Sequence, residues 1–391
     1  MVKNRGETKV HIGWLVGLAS ALLFFYGFML GGQQLVMIDI AEEYHVNTQG
    51  MGLLVSAQHV AAVLMPLCMG VVADRIGKKK VLVAFTLVFG MGCALSGLSN
   101  SILMYLFGAC LIGSGYSVCE SLSSAVMTDL DPEQGMRYIN ITQLLLSIGA
   151  ILSPVILRFC MSRLHARWRL GFMICSFAFL ILAVFLGKAC FPQKREKVEA
   201  ASEKAIAISG AQMGMILCFF LSIILYVGLE NGFGYFVNPL FSIQLEREEL
   251  GAMAISGYWA GMSASRFLCG LRNYHPGRML LTCFSLSGVL FLFLVFMKVP
   301  WFSIAVCFFL GFAFGPIWST LVASAAEVCP EKSAGVIGLM STGCGLGGIL
   351  YPTLMGFLSE KYNLQTAFFC LAVTSFAGFL LCLAAAVKKK K

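Results

Sequence analysis

Residues 70–80 of this 391-residue chain read Gly70-Val71-Val72-Ala73-Asp74-Arg75-Ile76-Gly77-Lys78-Lys79-Lys80, a charged turn at the end of a long apolar run. A weaker copy follows about 200 positions later, where residues 270–278 read Gly-Leu-Arg-Asn-Tyr-His-Pro-Gly-Arg. Both glycines and the basic residue after the second glycine fall at the same offsets in the two copies, while Tyr274 replaces Asp74. A charged turn that closes the second apolar run of each half predicts a duplicated membrane protein.

The composition predicts the same class. The chain is 59% hydrophobic and only 12% charged, whereas soluble domains carry about 25% charged residues. Apolar runs of about 20 residues, enough to cross a bilayer, recur along the whole chain. Lipid offers no partners for backbone N–H and C=O groups, so these runs must be helices. We expect twelve of them, at roughly 13–37, 50–72, 81–99, 103–127, 139–160, 170–190, 211–238, 252–271, 280–298, 301–325, 334–357 and 365–387.

A polar stretch, Phe191 to Ser209, divides these runs into two sets of six. The sets also match in detail, because Pro154 follows a Gly149 patch in the fifth run and Pro352 follows a glycine patch in the eleventh. We therefore predict an all-α membrane protein with twelve transmembrane helices in two pseudo-symmetric six-helix bundles. The expected divisions are an N-terminal bundle (1–190), a cytoplasmic linker (191–210) and a C-terminal bundle (211–391). Parallel repeats of this kind are typical of secondary transporters.

The net charge of +9 is explained by the way Lys and Arg residues are distributed between the two sides of the membrane. Placing the N-terminus inside puts most Lys and Arg residues on the inner side, including the runs at 78–80 and 388–391. This bias predicts that both termini are cytoplasmic, and we expect a multi-pass protein of the bacterial plasma membrane. The cluster from Arg158 to Arg169 lies on the wrong side for this topology. The first apolar run is too long for a cleaved signal peptide, so we expect it to remain as a span.

The turn at residues 70–80 resembles the loop motif of the major facilitator superfamily, G-x-x-x-D-R-x-G-R/K-R/K. The resemblance covers the whole chain and implies that the charged side chains of this loop latch the cytoplasmic ends of the two halves together. Such a carboxylate can pair with a basic residue and with the positive end of a helix. The residues that carry this implied latch are Gly70, Asp74, Arg75, Gly77 and Lys78.

Three further patches resemble the fucose permease branch of that superfamily, the sugar–proton symporters. They are Glu120 within the fourth run, Asn140 and Gln143 in the fifth, and a glycine-rich eleventh run that ends Pro352-Thr-Leu-Met-Gly356. One position departs from that branch, because Gln33 and Gln34 stand where the symporters carry an aspartate in the first span. A mechanism with two acids copied from that branch is therefore not implied.

Ionisable residues inside spans are costly to insert and usually functional. Glu120 shares one helix face with Ser117, Ser121 and Ser124, and Glu230 opens a second polar stripe on the seventh run. We predict that Glu120 and Glu230 take part in proton coupling; the alternative is that they are structural acids bonded to neighbouring helices. Glycines 228, 232 and 234 are expected to weaken the helix at Glu230 so that it can bend.

Further polar and aromatic residues in the spans are candidates for substrate binding, since hydroxyl and carboxylate groups need donors and acceptors. Arg266 either binds an anionic substrate or pairs with Glu120 or Glu230. The other candidates could equally be structural, and aromatic residues in spans are usually packing contacts. This set comprises Gln33, Gln34, Gln58, His59, Asn140, Gln143, Asn231, Tyr235, Asn238, Tyr258, Arg266 and Trp318.

The chain carries no nucleophile–base pattern, phosphate-binding loop or metal-ligand spacing, and its fifteen cysteines are scattered singly. We therefore expect a non-enzymatic monomer without cofactor, metal or nucleic acid, whose partners are the bilayer, protons and a small-molecule substrate. The sequence predicts a secondary active transporter of a small polar organic solute, coupled to protons in symport by alternating access. Two alternatives remain: a proton-driven exporter or antiporter of amphipathic or organic-anion substrates, and a membrane sensor that binds ligand without transporting it.

Overall fold

The computed structural model describes residues 11–130, 135–165, 167–191, 209–271, 274–329 and 333–390. These residues form thirteen α-helices, of which two share the tenth apolar run. A π-helical turn (Leu240–Gln244) and a 3-10 turn (Glu248–Leu250) separate α7 from α8. The helices are α1 (Ile12–Glu43), α2 (Thr48–Ile76), α3 (Lys78–Gly97), α4 (Ile102–Leu130), α5 (Gly135–Leu164), α6 (Arg169–Lys188), α7 (Gly210–Pro239), α8 (Gly251–Leu271), α9 (Pro276–Phe296), α10 (Pro300–Phe314), α11 (Ile317–Val328), α12 (Ser333–Lys361) and α13 (Leu364–Lys390).

Eleven segments of the described chain are long and apolar enough to cross a membrane, and they coincide with eleven of the twelve predicted runs. One of them combines α10 and α11, which are interrupted at Gly315 and Pro316. The remaining run is α8, a 21-residue helix that is less apolar because it carries several serines and Arg266. The prediction of an all-helical membrane protein is confirmed.

The two halves repeat the same packing. In the first half α1 packs on α5, α2 on α4 and α3 on α6, and in the second half α7 packs on α12, α8 on α10 and α9 on α13. Glycines allow these close contacts: the Gly113 backbone on α4 meets the Gln58 carbonyl on α2, and Gly311 on α10 meets the Tyr258 carbonyl on α8. Most of the predicted linker, residues 192–208, lies outside the described residues.

The halves meet through α2 and α12, through α5 and α8, and through α1 with α7 and α8. We call the side where α1 begins and α13 ends the terminus side, and the other the opposite side. Towards the opposite side, the Ser56 hydroxyl lies 2.7 Å from the Ile349 carbonyl and 2.8 Å from the Thr353 hydroxyl. The Arg158 guanidinium lies 2.6 Å from the Glu248 carboxylate. This structure is therefore closed on the opposite side.

The charged turn at residues 70–80 contains the end of α2. Gly77 has a φ of 100° and its N–H donates to the Ala73 carbonyl, a backbone conformation that favours glycine. In the weaker copy, by contrast, Gly277 lies inside the first turn of α9, so the two copies differ in local geometry. Residues 272 and 273 of that copy lie outside the described residues.

The charged residues of this turn make contacts within the first half. The Lys78 ammonium lies 2.6 Å from the Asp129 carboxylate at the end of α4, and Arg75 is exposed. Gly70 lies within α2, and the Asp74 side chain is outside the described part of the structure. A latch between the halves at these residues remains a prediction, because the described contact of Lys78 stays within one bundle.

Candidate functional site

The two predicted proton-coupling residues lie on helices that face the centre of the molecule. Glu120 on α4 accepts a hydrogen bond over 3.1 Å from the Gln143 Nε2 on α5. Hydroxyls of the predicted serine stripe bond to carbonyls of α4 itself, as in the 3.0 Å bond from the Ser124 Oγ to the Glu120 carbonyl. Gln143 is therefore the side chain in the described structure that holds the Glu120 carboxyl group.

Glu230 is the second predicted acid and lies on α7, the helix of the second half that corresponds to α1. Tyr226 precedes it by one helical turn and is fully buried, with its hydroxyl directed towards Glu230. The Asn231 amide donates to the Val227 carbonyl over 3.0 Å, which leaves its side-chain oxygen available to other groups. Glu120 and Glu230 are both only partly buried by surface area although they lie deep in the bundles, so the centre between them is not fully packed.

Arg266 on α8 brings a positive charge to the same region. Its Nε donates to the Gly315 carbonyl over 3.3 Å. That carbonyl lies at the break between α10 and α11, which Pro316 enforces because it lacks a backbone N–H. Arg266 acts electrostatically on both glutamates, yet within the described residues it forms no ion pair at 4.0 Å or less. The ion pair of Arg266 with Glu120 or Glu230, which was one of the two alternatives for this residue, is therefore not formed in this conformation.

His59 on α2 connects the surroundings of the two acids. Its Nδ1 lies 3.2 Å from the hydroxyl of Tyr116, one turn before Glu120. Its Nε2 has no hydrogen bond within normal limits in the described structure, and the Asn231 side chain faces the ring. The Tyr116 ring stacks on Tyr26, with centroids 4.7 Å apart. Glu120, Tyr116, His59, Asn231 and Glu230 therefore follow one another across the interface of the halves.

Several predicted substrate residues instead form a hydrogen-bond cluster between the halves. Gln33 on α1 donates to the Gln58 Oε1 over 3.0 Å and to the Tyr105 hydroxyl over 3.3 Å. Its own Oε1 accepts from the Tyr235 hydroxyl of α7 over 3.2 Å. Gln33 and Gln58 are only 2% and 1% exposed. In this conformation these residues join the halves, and their contact with a substrate remains a prediction.

A second set of contacts lies beside this cluster. The Trp259 Nε1 on α8 donates to the Gln34 Oε1 over 2.9 Å, and the Asn238 Nδ2 on α7 donates to the Leu35 carbonyl over 2.5 Å. The Gln34 amide packs directly against Gly234. Gln34 and Asn238 are thus buried between the halves, where a side chain on Gly234 would displace Gln34.

The three remaining candidates lie apart from one another. Tyr258 is 1% exposed and packs among the rings of Phe233, Trp259 and Phe314. Trp318 on α11 is 46% exposed and its indole lies beside the Cys344 thiol. Asn140 is exposed near the start of α5. The structure therefore brings together Glu120, Gln143, Glu230, Asn231, Arg266 and His59. Tyr258 lies near Glu230 and Arg266, whereas Asn140 lies apart.

In this conformation α7 is a continuous helix to Pro239, and the expectation that its glycines allow a bend near Glu230 remains a prediction. These glycines allow close packing. A side chain at position 228 would meet the Tyr351 ring, and one at position 232 would meet Met355. The departure from regular α-helix comes later, in the π-helical turn Leu240–Gln244 that follows Pro239.

The arginine cluster on the opposite side is part of the fold. Arg169 forms two hydrogen bonds with the Glu43 carboxylate, at 2.6 and 2.5 Å, and a third at 2.7 Å with the Ser99 carbonyl. The Trp168 indole donates to the same carboxylate over 2.5 Å, and the Arg169 guanidinium lies 4.4 Å from the Trp168 ring centroid. These contacts tie α1 to α6 and give Arg169 a structural role on this side.

Some tyrosines that border the site were not predicted as site residues from the sequence. Tyr116 stands one helical turn from Glu120, and that spacing on the polar face would have indicated it. Tyr26 and Tyr226 occupy corresponding positions of the repeat, a signal that was visible in the sequence. Tyr105 lies in an apolar run, where no pattern indicates a bond to a glutamine 72 positions earlier.

The fold and this site can be compared with known proteins. A family model described as Major Facilitator Superfamily matches residues 18–270 and 215–391. The MFS-type transporter YfkL of Bacillus subtilis is 21% identical over 382 residues, which cover 93% of this chain and 95% of that protein. The probable sulfoacetate transporter SauU of Cupriavidus necator is 22% identical over 353 residues, covering 82% of this chain and 81% of its own.

A solved structure extends the comparison to the whole fold. The inward-facing, occupied form of a bacterial homolog of the human lysosomal transporter Spinster superposes with a TM-score of 0.72 at 14% sequence identity. The match covers 98% of each chain. At this identity the likeness establishes the arrangement of the helices.

Proposed function

The chain belongs to the Major Facilitator Superfamily and is a secondary transporter, not an enzyme, and from that premise we propose that it carries a small polar organic solute in symport with protons. Glu120 is the main protonation site in this proposal, and Glu230 is the second acid. The relatives support a small solute in general terms, since one carries the name of a probable sulfoacetate transporter.

The observation that carries the proposal is the environment of Glu120. Its carboxyl group lies deep in the bundle and accepts a side-chain hydrogen bond from Gln143. A charged carboxylate in a span costs about 2.5–3.5 kcal/mol on insertion scales, so binding a proton there lowers the cost of enclosing the site. Protonation of Glu120 thus favours closure around the substrate.

Alternating access would move the halves about the site between them. The contacts that support this lie on the opposite side, where Gln33, Ser56 and Arg158 reach across to the other half. When that side opens, the polar groups in these contacts must form hydrogen bonds with water instead of with each other. Residues buried in the closed interface, such as Gln33, then become available to a substrate.

The resemblance to the fucose permease branch belongs to the proposal as well. Gln33 and Gln34 replace the acid of that branch, and in this structure both bond to residues of α7 or α8. We therefore assign the second acid to Glu230 rather than to the first span. Orientation with both termini in the cytoplasm of a bacterial cell, and function as a monomer, complete the proposal.

One observation favours a second candidate, a proton-driven exporter of organic anions. Arg266 lies in the centre without an ion pair among the described residues, which suits an anionic ligand. The direction of flux under an imposed pH gradient separates the two candidates, because a symporter moves substrate with the protons and an antiporter moves it against them.

The proposal is tested in proteoliposomes with Glu120→Gln. A substrate found by thermal-shift screening should accumulate when the outside is made acidic in wild type, and Glu120→Gln should abolish this accumulation while retaining substrate counterflow. Glu246→Gln, an exposed acid on the opposite side, is the matched control and should behave as wild type. Undiminished pH-driven accumulation by Glu120→Gln would refute the role of this residue.

A further inference from the structure

The charges at the centre of the molecule can be counted. Glu120 from α4, Glu230 from α7 and Arg266 from α8 provide two carboxyl groups and one guanidinium. The other titratable groups that face them are uncharged in their usual neutral-pH forms, apart from the titratable imidazole of His59. This set comprises Tyr26, His59, Tyr116, Tyr226, Tyr258 and Cys344.

Contacts between neighbouring side chains place the three charged groups around one centre. Arg266 bonds to the Gly315 carbonyl, and the neighbouring Phe314 ring lies 5.7 Å from the Tyr226 ring, one turn before Glu230. On the other side, Tyr116 lies one turn before Glu120 and meets His59, which faces Asn231 beside Glu230. The two acids and the arginine therefore belong to a single site.

The guanidinium of Arg266 has hydrogen-bond donors without a partner among the described residues. Its Nε is bonded to a carbonyl, whereas its two terminal nitrogens have no hydrogen bond or ion pair among the described residues. A planar guanidinium presents these nitrogens as a fork that matches the two oxygens of a carboxylate. Glu120 accepts a hydrogen bond from Gln143 and forms no ion pair with this fork.

We propose, on the basis of the function proposed above, that the substrate is an organic monoanion whose carboxylate binds the terminal nitrogens of Arg266, and that it crosses with one proton in an electroneutral cycle. A site that is enclosed away from water must be close to neutral, since an unbalanced charge in a low-dielectric interior is costly. With His59 neutral, the empty site is neutral when one of the two acids holds a proton, because the other acid then balances Arg266.

The same count sets the stoichiometry. A bound monoanion adds one negative charge, and protonation of the second acid restores neutrality. One proton therefore enters with each anion and both leave together, so no net charge crosses the membrane. A neutral solute would need no additional proton by the same count, and a monocation would displace the proton of the empty site.

Binding is tested first, by thermal shift of the purified full-length protein. The probes are the monoanions lactate, gluconate and glucuronate, and the matched compounds lactamide, glucose and glucosamine at mildly acidic pH. We expect one or more of the monoanions to stabilise the protein, and Arg266→Gln to weaken that binding about tenfold to a hundredfold. Arg266→Lys keeps the charge without the fork and should be intermediate.

The controls keep the test decisive. Arg278→Gln removes an exposed arginine from α9 and should bind like wild type. If Arg266→Gln is unstable when purified, the comparison of Arg266→Lys with wild type carries the same argument. The proposal is overturned if no monoanion stabilises the protein, or if a neutral analogue binds equally well and Arg266→Gln leaves that binding unchanged.

Electroneutrality is tested with the stabilising anion in proteoliposomes. We expect uptake driven by a pH gradient with the same rate and extent whether or not valinomycin and a potassium gradient impose a membrane potential. Uptake that follows the potential would overturn the charge count. Proton-coupled accumulation of a neutral solute would leave the transport proposal intact and refute this inference. Anion binding through Arg266 without any flux would support the assigned ligand, but it would refute transport and with it the electroneutral cycle.

Discussion

Gln143 donates a hydrogen bond from its Nε2 to the Oε1 of Glu120 over 3.1 Å, so the acid on α4 is held by α5. The same α5 also packs on α8 of the second half, where the Ser256 hydroxyl donates to the Ile151 carbonyl over 2.7 Å. A movement of the halves that shifts α5 therefore changes the environment of the Glu120 carboxyl group. This connection links proton binding to the position of the halves.

Gln143→Leu should weaken proton coupling more than substrate exchange. The substitution removes the side-chain donor of Glu120, and hydrogen bonds to charged groups contribute about 1.5–3 kcal/mol. We expect pH-driven accumulation in proteoliposomes to fall about tenfold or more, with a smaller change in counterflow. The control is Thr142→Val on the same helix, whose hydroxyl donates to the Ile139 carbonyl and to no other group among the described residues. Equal losses of accumulation and counterflow would assign Gln143 to substrate binding instead.

Gln33→Leu should destabilise the closed form of the opposite side. The side chain bonds to Gln58, Tyr105 and Tyr235, and the last of these bonds crosses between the halves. Only the bond to Tyr235 is broken when the halves separate, so at about 1 kcal/mol for that bond the balance should shift about fivefold towards opening on that side. Faster hydrogen–deuterium exchange at the beginnings of α2 and α8 would report the shift, and it avoids thiol labels in a chain with fifteen cysteines.

The matched control for this change is Tyr351→Phe. It removes a buried hydroxyl bond of 3.1 Å to Thr374, within the second half only. We expect a loss of stability without faster exchange on the opposite side. If Gln33→Leu and Tyr351→Phe gave the same exchange pattern, Gln33 would be a general packing residue rather than a contact that closes the interface.

The twelve spans were predictable because lipid imposes a simple rule on the backbone, which makes each long apolar run a helix. The repeat was also visible, and it recurs as matched packing of α1 on α5 and of α7 on α12. Glu120 and Gln143 could be singled out because polar groups are rare in such runs. Which polar groups would meet could not be predicted, since the bond from Gln33 to Tyr235 joins residues 202 positions apart.

The local role of glycines was harder to predict. In a sequence, glycines 228, 232 and 234 suggest a weak helix, because glycine has a low helix propensity. The structure uses them as close-contact positions against Tyr351, Met355 and Gln34. The two uses have the same sequence pattern, and only the position of the neighbouring helix distinguishes them. The same limit applies to residues 270–278, whose glycine spacing repeats without repeating the turn of Gly77.

Exchanging the charges of Arg158 and Glu248 should test the contact at the mouth of the closed side. The two groups lie 2.6 Å apart and both are partly exposed, and exposed ion pairs contribute about 0.2–1 kcal/mol. Arg158→Glu or Glu248→Arg alone should increase hydrogen exchange at the start of α8 two- to fivefold, roughly the Boltzmann equivalent of that energy. The double exchange should restore the wild-type rate, and high salt should reduce all of these differences.

A nearby pair within one loop serves as the control for that experiment. Arg247 donates a hydrogen bond to Glu249, which lowers the pKa of the Glu249 carboxyl group. Exchanging these two charges alters the same surface and leaves the Arg158 and Glu248 pair in place, so exchange at the start of α8 should change less than in the single variants of that pair. Failure of the Arg158 and Glu248 double exchange to restore the rate would show that the single variants act through something other than this pair.

Two glycines in equivalent close contacts should respond differently to the same substitution. Gly52 on α2 faces the Pro352 carbonyl of the other half, whereas Gly27 on α1 faces the Leu146 carbonyl of its own half. Gly27→Val should lower Tm and the yield of folded protein, because α1 and α5 must stay packed within one bundle. Gly52→Val should keep a near wild-type Tm and instead open the opposite side, since the halves can separate there. Thermal unfolding and hydrogen exchange at residues 48–56 distinguish the two effects. Gly17→Val, at an exposed position with no neighbour within 4 Å of its Cβ site, controls for the change in helix propensity. A large loss of Tm in Gly52→Val without faster exchange would mean that α2 and α12 remain packed together whenever the protein is folded, which would exclude opening on that side.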